Sequence, residues 1–226
     1  YDTIRELKIP FAAGSSLPVT WRMPAIDMPY GAEVDEMLCV AFGGVDSYDF
    51  HALEVIQCMA ERRRGGETGV AAVQGLRGDA VWKAFAAKDF QNGGFDPRLF
   101  EACLSRCQTL QQTNDTSHRY PSPEQIRSFA KDPVAYRIGL VTDFTFAARL
   151  KGNAEPLSTL FYLPPVPNVT YSAGLMAAAE ATFLTGKSPA PLERTLLTTG
   201  LVEAGVRSVG TEQKRLETPH LASIAY

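Results

Sequence analysis

Val141-Thr142-Asp143-Phe144-Thr145-Phe146-Ala147-Ala148-Arg149-Leu150 alternates along its length. Phe144, Phe146, Ala148 and Leu150 fall on one face of an extended chain; Asp143, Thr145, Ala147 and Arg149 fall on the other. Successive side chains of a strand point to opposite faces, so the spacing predicts a half-buried strand. Such strands belong to antiparallel sheets that cover one face and leave the other polar. Glu36 to Phe42 reads as a second strand, and Leu157 to Leu163, closed by Pro164-Pro165, as a third. Val70 to Leu76 and Leu216 to Ala225 are shorter candidates.

Helical spacing is clearest from Asp49 to Arg64, where Leu53, Ile56 and Ala60 recur on one face and Gly65-Gly66 supplies the stop. Ala80 to Lys88, Pro97 to Leu110, Tyr171 to Leu184 and Pro191 to Val206 read as further helices. Gln111 to Pro123 is polar and loop-like, and Ser122-Pro123-Glu124-Gln125 carries the cap and first-turn residues of another helix. At the start of the chain, residues 1–7 read as helix, Lys8 to Ala13 as a short buried strand, and Gly14-Ser15-Ser16-Leu17-Pro18 as a loop. That order is how the last unit of a parallel α/β sheet reads. The chain opens on Tyr1-Asp2-Thr3-Ile4 as if on the tail of a helix, so upstream sequence is expected.

The predicted fold is therefore α+β: an open, mostly antiparallel sheet with helices on one side, attached to the stub of an α/β domain. Residues 1–20 would belong to that stub, and residues 21–226 would form the α+β domain.

Composition narrows the function classes. The 226 residues are 45% hydrophobic and 21% charged, enough to bury a core. The net charge of −3 and the lack of a basic stripe argue against nucleic acid as partner. Arg62 to Arg64 lie at a helix end, where cations complement the macrodipole. No apolar run approaches the ~20 residues of a membrane helix, so no membrane contact is expected. Cys103 and Cys107 sit four apart on one helical face, a poor geometry for a disulfide, and no second pair flanks them to hold zinc. Free thiols and a cytoplasmic setting are the expectation.

The chemistry-bearing stretch is Gly43-Gly44-Val45-Asp46-Ser47-Tyr48-Asp49-Phe50-His51-Ala52-Leu53-Glu54. His51 near the start of a helix would feel its positive end, which favours neutral imidazole. Neutral imidazole can act as a base or donate to a carbonyl. Asp46, Asp49 or Glu54 would fix its tautomer, and Tyr48 would donate a proton or hold a sugar hydroxyl. Glu67 and Thr68 follow the glycine pair and would return to the same cleft. Arg22, in the proline-rich connector with Asp27, would contact a ligand there. Gly14, Ser15 and Ser16 would lie beyond the carboxyl end of the expected strand, where α/β sheets bind ligands. Without a second histidine near His51 and Glu54, no metal site is assigned.

Two segments carry a family resemblance. The stretch Gly43 to Glu54 with its helix, and Pro191-Leu192-Glu193-Arg194-Thr195-Leu196-Leu197-Thr198-Thr199-Gly200 together with Lys214-Arg215-Leu216-Glu217-Thr218-Pro219, resemble the C-terminal part of the Gfo/Idh/MocA oxidoreductase-like family, in a bacterial branch. The resemblance implies that residues 1–20 are the end, with the last strand, of a Rossmann-like domain that binds NAD or NADP, and that residues 21–226 are a sheet domain that carries the substrate site and mediates oligomerisation. Family members read Asp-x-x-x-His with an acidic residue three further on. His51 and Glu54 match the last two positions; the first is Ser47, with Asp46 and Asp49 on either side. In the dehydrogenases that Asp and His work with a lysine of the nucleotide domain, and neither the lysine motif nor a glycine-rich nucleotide loop occurs in these residues.

The resemblance thus implies an NAD(P)-dependent oxidoreductase acting on a sugar or polyol derivative, as a homo-oligomer. His51, Asp46, Asp49 and Tyr48 would be catalytic, Gly14, Ser15 and Ser16 would touch the cofactor, and Arg22, Glu54, Glu67 and Thr68 the substrate. A lyase or glycosidase variant of the fold, a sugar-binding module, and a non-catalytic sheet domain whose open face assembles subunits are the alternatives.

Overall fold

The computed structural model describes residues 1–87, 94–108, 142–164 and 170–226. Helix α1 (Asp2–Glu6) and a 3₁₀ turn (Leu17–Val19) lead to β1 (Arg22–Met23), β2 (Val34–Val40) and helix α2 (Val45–Ala60). Strand β3 (Ala72–Val73), helices α3 (Asp79–Ala87) and α4 (Pro97–Leu104), and strands β4 (Phe144–Leu150) and β5 (Leu157–Phe161) follow. Helices α5 (Tyr171–Thr185) and α6 (Leu192–Gly210), strand β6 (Leu216–Glu217) and helix α7 (Pro219–Ala222) complete the chain. The fold is α+β, with a four-stranded antiparallel sheet in the order β1-β5-β4-β2 and a small antiparallel pair, β3-β6. No described helix is long and apolar enough to cross a membrane.

The central strand departs from its expected half-burial. Phe144, Phe146, Ala148 and Leu150 pack with Val55, Cys58 and Met59 of α2 and with Phe161. On the opposite face Ala147 packs with Val40 and with Leu99, Phe100, Cys103 and Leu104 of α4. Thr145 and Ala147 are fully buried. Helices therefore cover both faces of the sheet, not one, and no open face of β4 is left to bind another subunit. The second face reads as polar only because Thr and Ala are small, and small residues are what let a helix approach a sheet closely. Arg149, at the end of that face, pairs with Glu36 of β2 (3.4 Å) and with Asp96 (3.3 Å), whose side chain caps α4 by accepting from Arg98 N–H (2.9 Å).

Helix α2 starts four residues before the expected Asp49. The Ser47 and Tyr48 amides donate to the Gly44 carbonyl, so the glycine pair leads straight into the helix. Gly43 has φ +112°, and a Cβ there would lie 2.1 Å from the Tyr48 ring, so only glycine permits this entry.

Residues 8–13 do not form the expected strand. They are exposed and pair with no strand among the described residues. The Ile9 amide closes α1 by donating to the Ile4 carbonyl (3.0 Å), with Lys8 in a left-handed conformation at φ 52°. An extended segment becomes a strand only where neighbouring backbone satisfies its polar groups, and none lies alongside. The expected strand over 216–225 is shorter than its apolar pattern, because Pro219 opens α7. The polar loop over 111–123 and the helix starting at Ser122-Pro123 lie outside the described residues.

All four cysteines are free. Burial pushes the Cys58 and Cys103 thiols up to about 12 and raises Cys39 and Cys107 as well, which leaves them unreactive packing groups.

Because Phe146 is wholly buried between α2 and the strands beside it, Phe146→Ala is expected to cost about 3–5 kcal/mol of unfolding free energy. Urea denaturation measures it; a loss under 1 kcal/mol would mean that this face is not the core.

Candidate functional site

Helix α2 brings His51 and Glu54, three residues apart and so on one side of the helix, against the loop that precedes the 3₁₀ turn. Ser15 Oγ lies 2.7 Å from His51 Nδ1 and accepts from the Leu17 amide at 3.1 Å. The Ser15 amide donates to Glu54 Oε2 at 3.4 Å, and Thr198 Oγ1 of α6 donates to Glu54 Oε1 at 2.7 Å. Gly14 closes the cluster with φ +123°. A Cβ there would lie 2.8 Å from Glu54 Oε2 and 3.2 Å from Thr195 Oγ1. Thr195 Oγ1 is buried with no hydrogen-bond partner among the described residues.

The imidazole sits among aromatic edges: Tyr48 and Phe50 each have their centroids 5.8 Å away, and Phe144 is at 6.2 Å. This half-burial lowers the His51 pKa, so the ring is neutral at pH 7. The direction matches the sequence expectation but the cause differs. His51 is in the second turn of α2, beyond the helix mouth, and desolvation supplies the shift. Burial also raises the Glu54 pKa, against the lowering effects of the Thr198 hydroxyl, the Ser15 amide and the Arg194 charge. Its carboxyl is only 1% exposed and touches no cation.

Several sequence-predicted partners fall elsewhere. None of Asp46, Asp49 and Glu54 hydrogen-bonds to His51; Ser15 does. Asp46 is exposed in the first turn. Asp49 is two residues from His51, hence on another side of the helix, and burial raises its pKa to about 6. Tyr48 does stay beside His51, at 5.8 Å between ring centroids, and is 40% exposed and packed on Phe42. Arg22 is fully engaged in the scaffold. It stacks 3.9 Å over Phe161, pairs with Asp27 (3.1 Å) and donates to the Pro18 carbonyl (2.9 Å) and to that of Thr20. Glu67, 3% exposed, accepts from Arg63 (3.0 Å), Gln57 and the Thr68 and Gly69 amides, and so ties down the turn after α2. Thr68 stays with that turn through Arg63 (3.3 Å). Neither joins the His51 cluster.

Ser15, of the three residues Gly14, Ser15 and Ser16, is not free to hold a dinucleotide phosphate. An anion site needs free backbone donors facing it, but the Ser15 amide already faces Glu54 and its hydroxyl faces His51. Sequence reasoning missed Thr195 and Thr198. Their spacing of three on an apolar helix was the available signal, and only the packing of α6 on α2 gives it meaning. That packing also buries Arg194, which donates to Glu61 from Nε (2.9 Å) and Nη2. A separate cleft of about 530 Å³ opens between α1 and the loop before α6, lined in part by Ile4, Arg5, Lys8, Pro189 and Leu192, and it contains none of these site residues.

Comparison with family models, with curated proteins and with solved structures finds no match to this chain.

Asp49 yields a pH test. Its folded pKa lies above the ordinary 3.8, so the stability it contributes is full below that value and is lost as pH rises through about 6. Asp49→Asn removes the loss, and the variant is expected to exceed the parent at pH 8 by up to about 2 kcal/mol, partial solvation having reduced the full effect. Urea titrations at pH 4 and pH 8 read the difference; the same pH dependence in both proteins would show that Asp49 is solvated.

Proposed function

We propose that the chain carries the acid–base centre of an oxidoreductase-like enzyme acting on a sugar or polyol derivative in the cytoplasm. The observation that supports this reading is the state of His51. It is half-buried, held at Nδ1 by Ser15, with no partner at Nε2 among the described residues, and its desolvation favours the neutral ring. A ring anchored at one nitrogen and free at the other suits proton exchange with the oxygen of a substrate carbinol or carbonyl. The aromatic rings of Tyr48, Phe50 and Phe144 cover part of it and desolvate it in part. Tyr48, partly exposed beside the ring, is placed to meet a second substrate hydroxyl. NAD or NADP enters this reading through the family resemblance, as the hydride carrier. Because the Ser15 amide and hydroxyl face Glu54 and His51, no contact with its phosphates is assigned to Ser15.

His51→Gln tests the reading. In the intact protein, assayed for nicotinamide oxidation and reduction with a panel of sugars, polyols and their keto or aldehyde forms, the variant is expected to lose roughly 100- to 10,000-fold in turnover while its melting temperature changes little. Equal turnover in parent and variant would remove His51 from the chemistry.

A second reading, in which copies of the chain assemble into a homo-oligomer, is supported by α5. This helix is apolar almost all round yet buries only Thr182, and it exposes Met176 (59%), Phe183 (89%) and Leu184 (79%). Exposed patches of this kind mark contact surfaces, and a second copy is the proposed occupant. The double substitution Phe183→Glu with Leu184→Glu is expected to convert an oligomer to monomer in light scattering. A parent protein that is already monomeric would defeat this reading and leave the enzyme reading untouched.

A further inference from the structure

We infer that Ser15 is a positioning residue that holds His51 in the Nε2–H tautomer, so that the site is set to receive a carbonyl oxygen, the keto or aldehyde form of the substrate. The inference rests on the proposed enzyme reading for its substrate but on hydrogen-bond accounting for its geometry.

A serine hydroxyl has one proton to give and two lone pairs to accept with. The Leu17 amide, which can only donate, takes one lone pair at 3.1 Å. The hydroxyl proton then needs an acceptor, because Ser15 is only 7% exposed and a buried donor without a partner is costly. The acceptor on Ser15 Oγ among the described residues is His51 Nδ1, at 2.7 Å, a distance typical of an O–H donor. Glu54 does not compete, since its contact with this residue is to the amide nitrogen at 3.4 Å. The imidazole must then accept at Nδ1, and in its neutral form it carries its proton on Nε2.

The consequence is directional. With Nε2 protonated, His51 offers a hydrogen bond to a substrate oxygen and has no lone pair there to take a proton from a hydroxyl. Acting as a base would require the other tautomer, with Nδ1–H pointing at Ser15 Oγ. The serine proton would then have no acceptor among the described residues. A neutral donor aimed at a carbonyl oxygen stabilises the negative charge that grows on that oxygen as a hydride from a reduced nicotinamide adds to the carbon and the C=O π pair moves onto the oxygen, which then takes the Nε2 proton. Glu54 and Gly14 belong to the same device. Glu54 holds the Ser15 amide, and the absence of a side chain at position 14 lets the loop lie close enough to hold it.

Nitrogen NMR of the ¹⁵N-histidine-labelled intact protein at pH 7.5 reads the tautomer without any substrate. The expected result is a protonated Nε2 and an Nδ1 shifted by an accepted hydrogen bond. Ser15→Ala is expected to remove that shift at Nδ1 and to lower turnover about 10-fold with little change in KM. Ser15→Thr, which keeps the hydroxyl, should restore both. A protonated Nδ1 in the parent protein would overturn the inference, as would an Nδ1 signal unchanged by Ser15→Ala. If the tautomer is as stated but His51→Gln leaves turnover intact, the enzyme reading fails and the positioning role of Ser15 stands.

Discussion

Helix α2 lies along the face of β4 that carries Phe144, Phe146 and Ala148, and the rest of the molecule is arranged around that contact. Val55 and Met59 are wholly buried in it, which fixes both the rotation and the height of the helix on the sheet. Close-packed interiors resist small displacements, so the core end of α2 acts as a rigid mount for its other end. In the turn that ends at Val55 the same helix presents His51 and Glu54 to the loop of Gly14 and Ser15. The site is thus an extension of the core: its ring is positioned by packing, and Phe144 belongs to both.

The second constraint is the burial of polar groups. Glu54, Thr198 and Ser15 are each under about one-tenth exposed, and a buried polar group is costly unless hydrogen-bonded. Their mutual bonds link three separate parts of the chain: the loop before the 3₁₀ turn, α2 and α6. Arg194 and Glu61 repeat the link two turns further along α2. Such networks specify one arrangement of the helices more strongly than apolar contact does, because a slip leaves charges and hydroxyls without partners. The same requirement explains why Arg22 and Glu67 are scaffold groups. Their donors and acceptors are taken up by nearby carbonyls and amides, which leaves little free for a ligand.

Much of the fold was legible from periodicity. The alternation through Phe144 to Leu150, the helical repeat of Leu53, Ile56 and Ala60, and the long apolar stretches of α5 and α6 each produced the expected element within a few residues. Two readings erred for a common reason. Residues 8–13 look like a strand because they are apolar and extended, and Thr145 and Ala147 look solvent-facing because Thr and Ala are weakly hydrophobic. Whether an extended segment pairs, and whether a small residue is covered, depends on what lies next to it in space. At the site, His51 and Glu54 could be singled out from the local sequence, since helical spacing alone puts them together.

Sequence by itself therefore determined the element types, most of the apolar faces and the placing of His51 and Glu54 on one side of α2, because those follow from repeats of two and of 3.6 within a short window. Tertiary structure alone decided their partners. Ser15 meets His51 across 36 residues, and Thr198 meets Glu54 across 144. No local pattern encodes such meetings. They arise because the packed core leaves one position for each helix, and at that position the buried hydroxyl, amide, carboxyl and imidazole can satisfy one another.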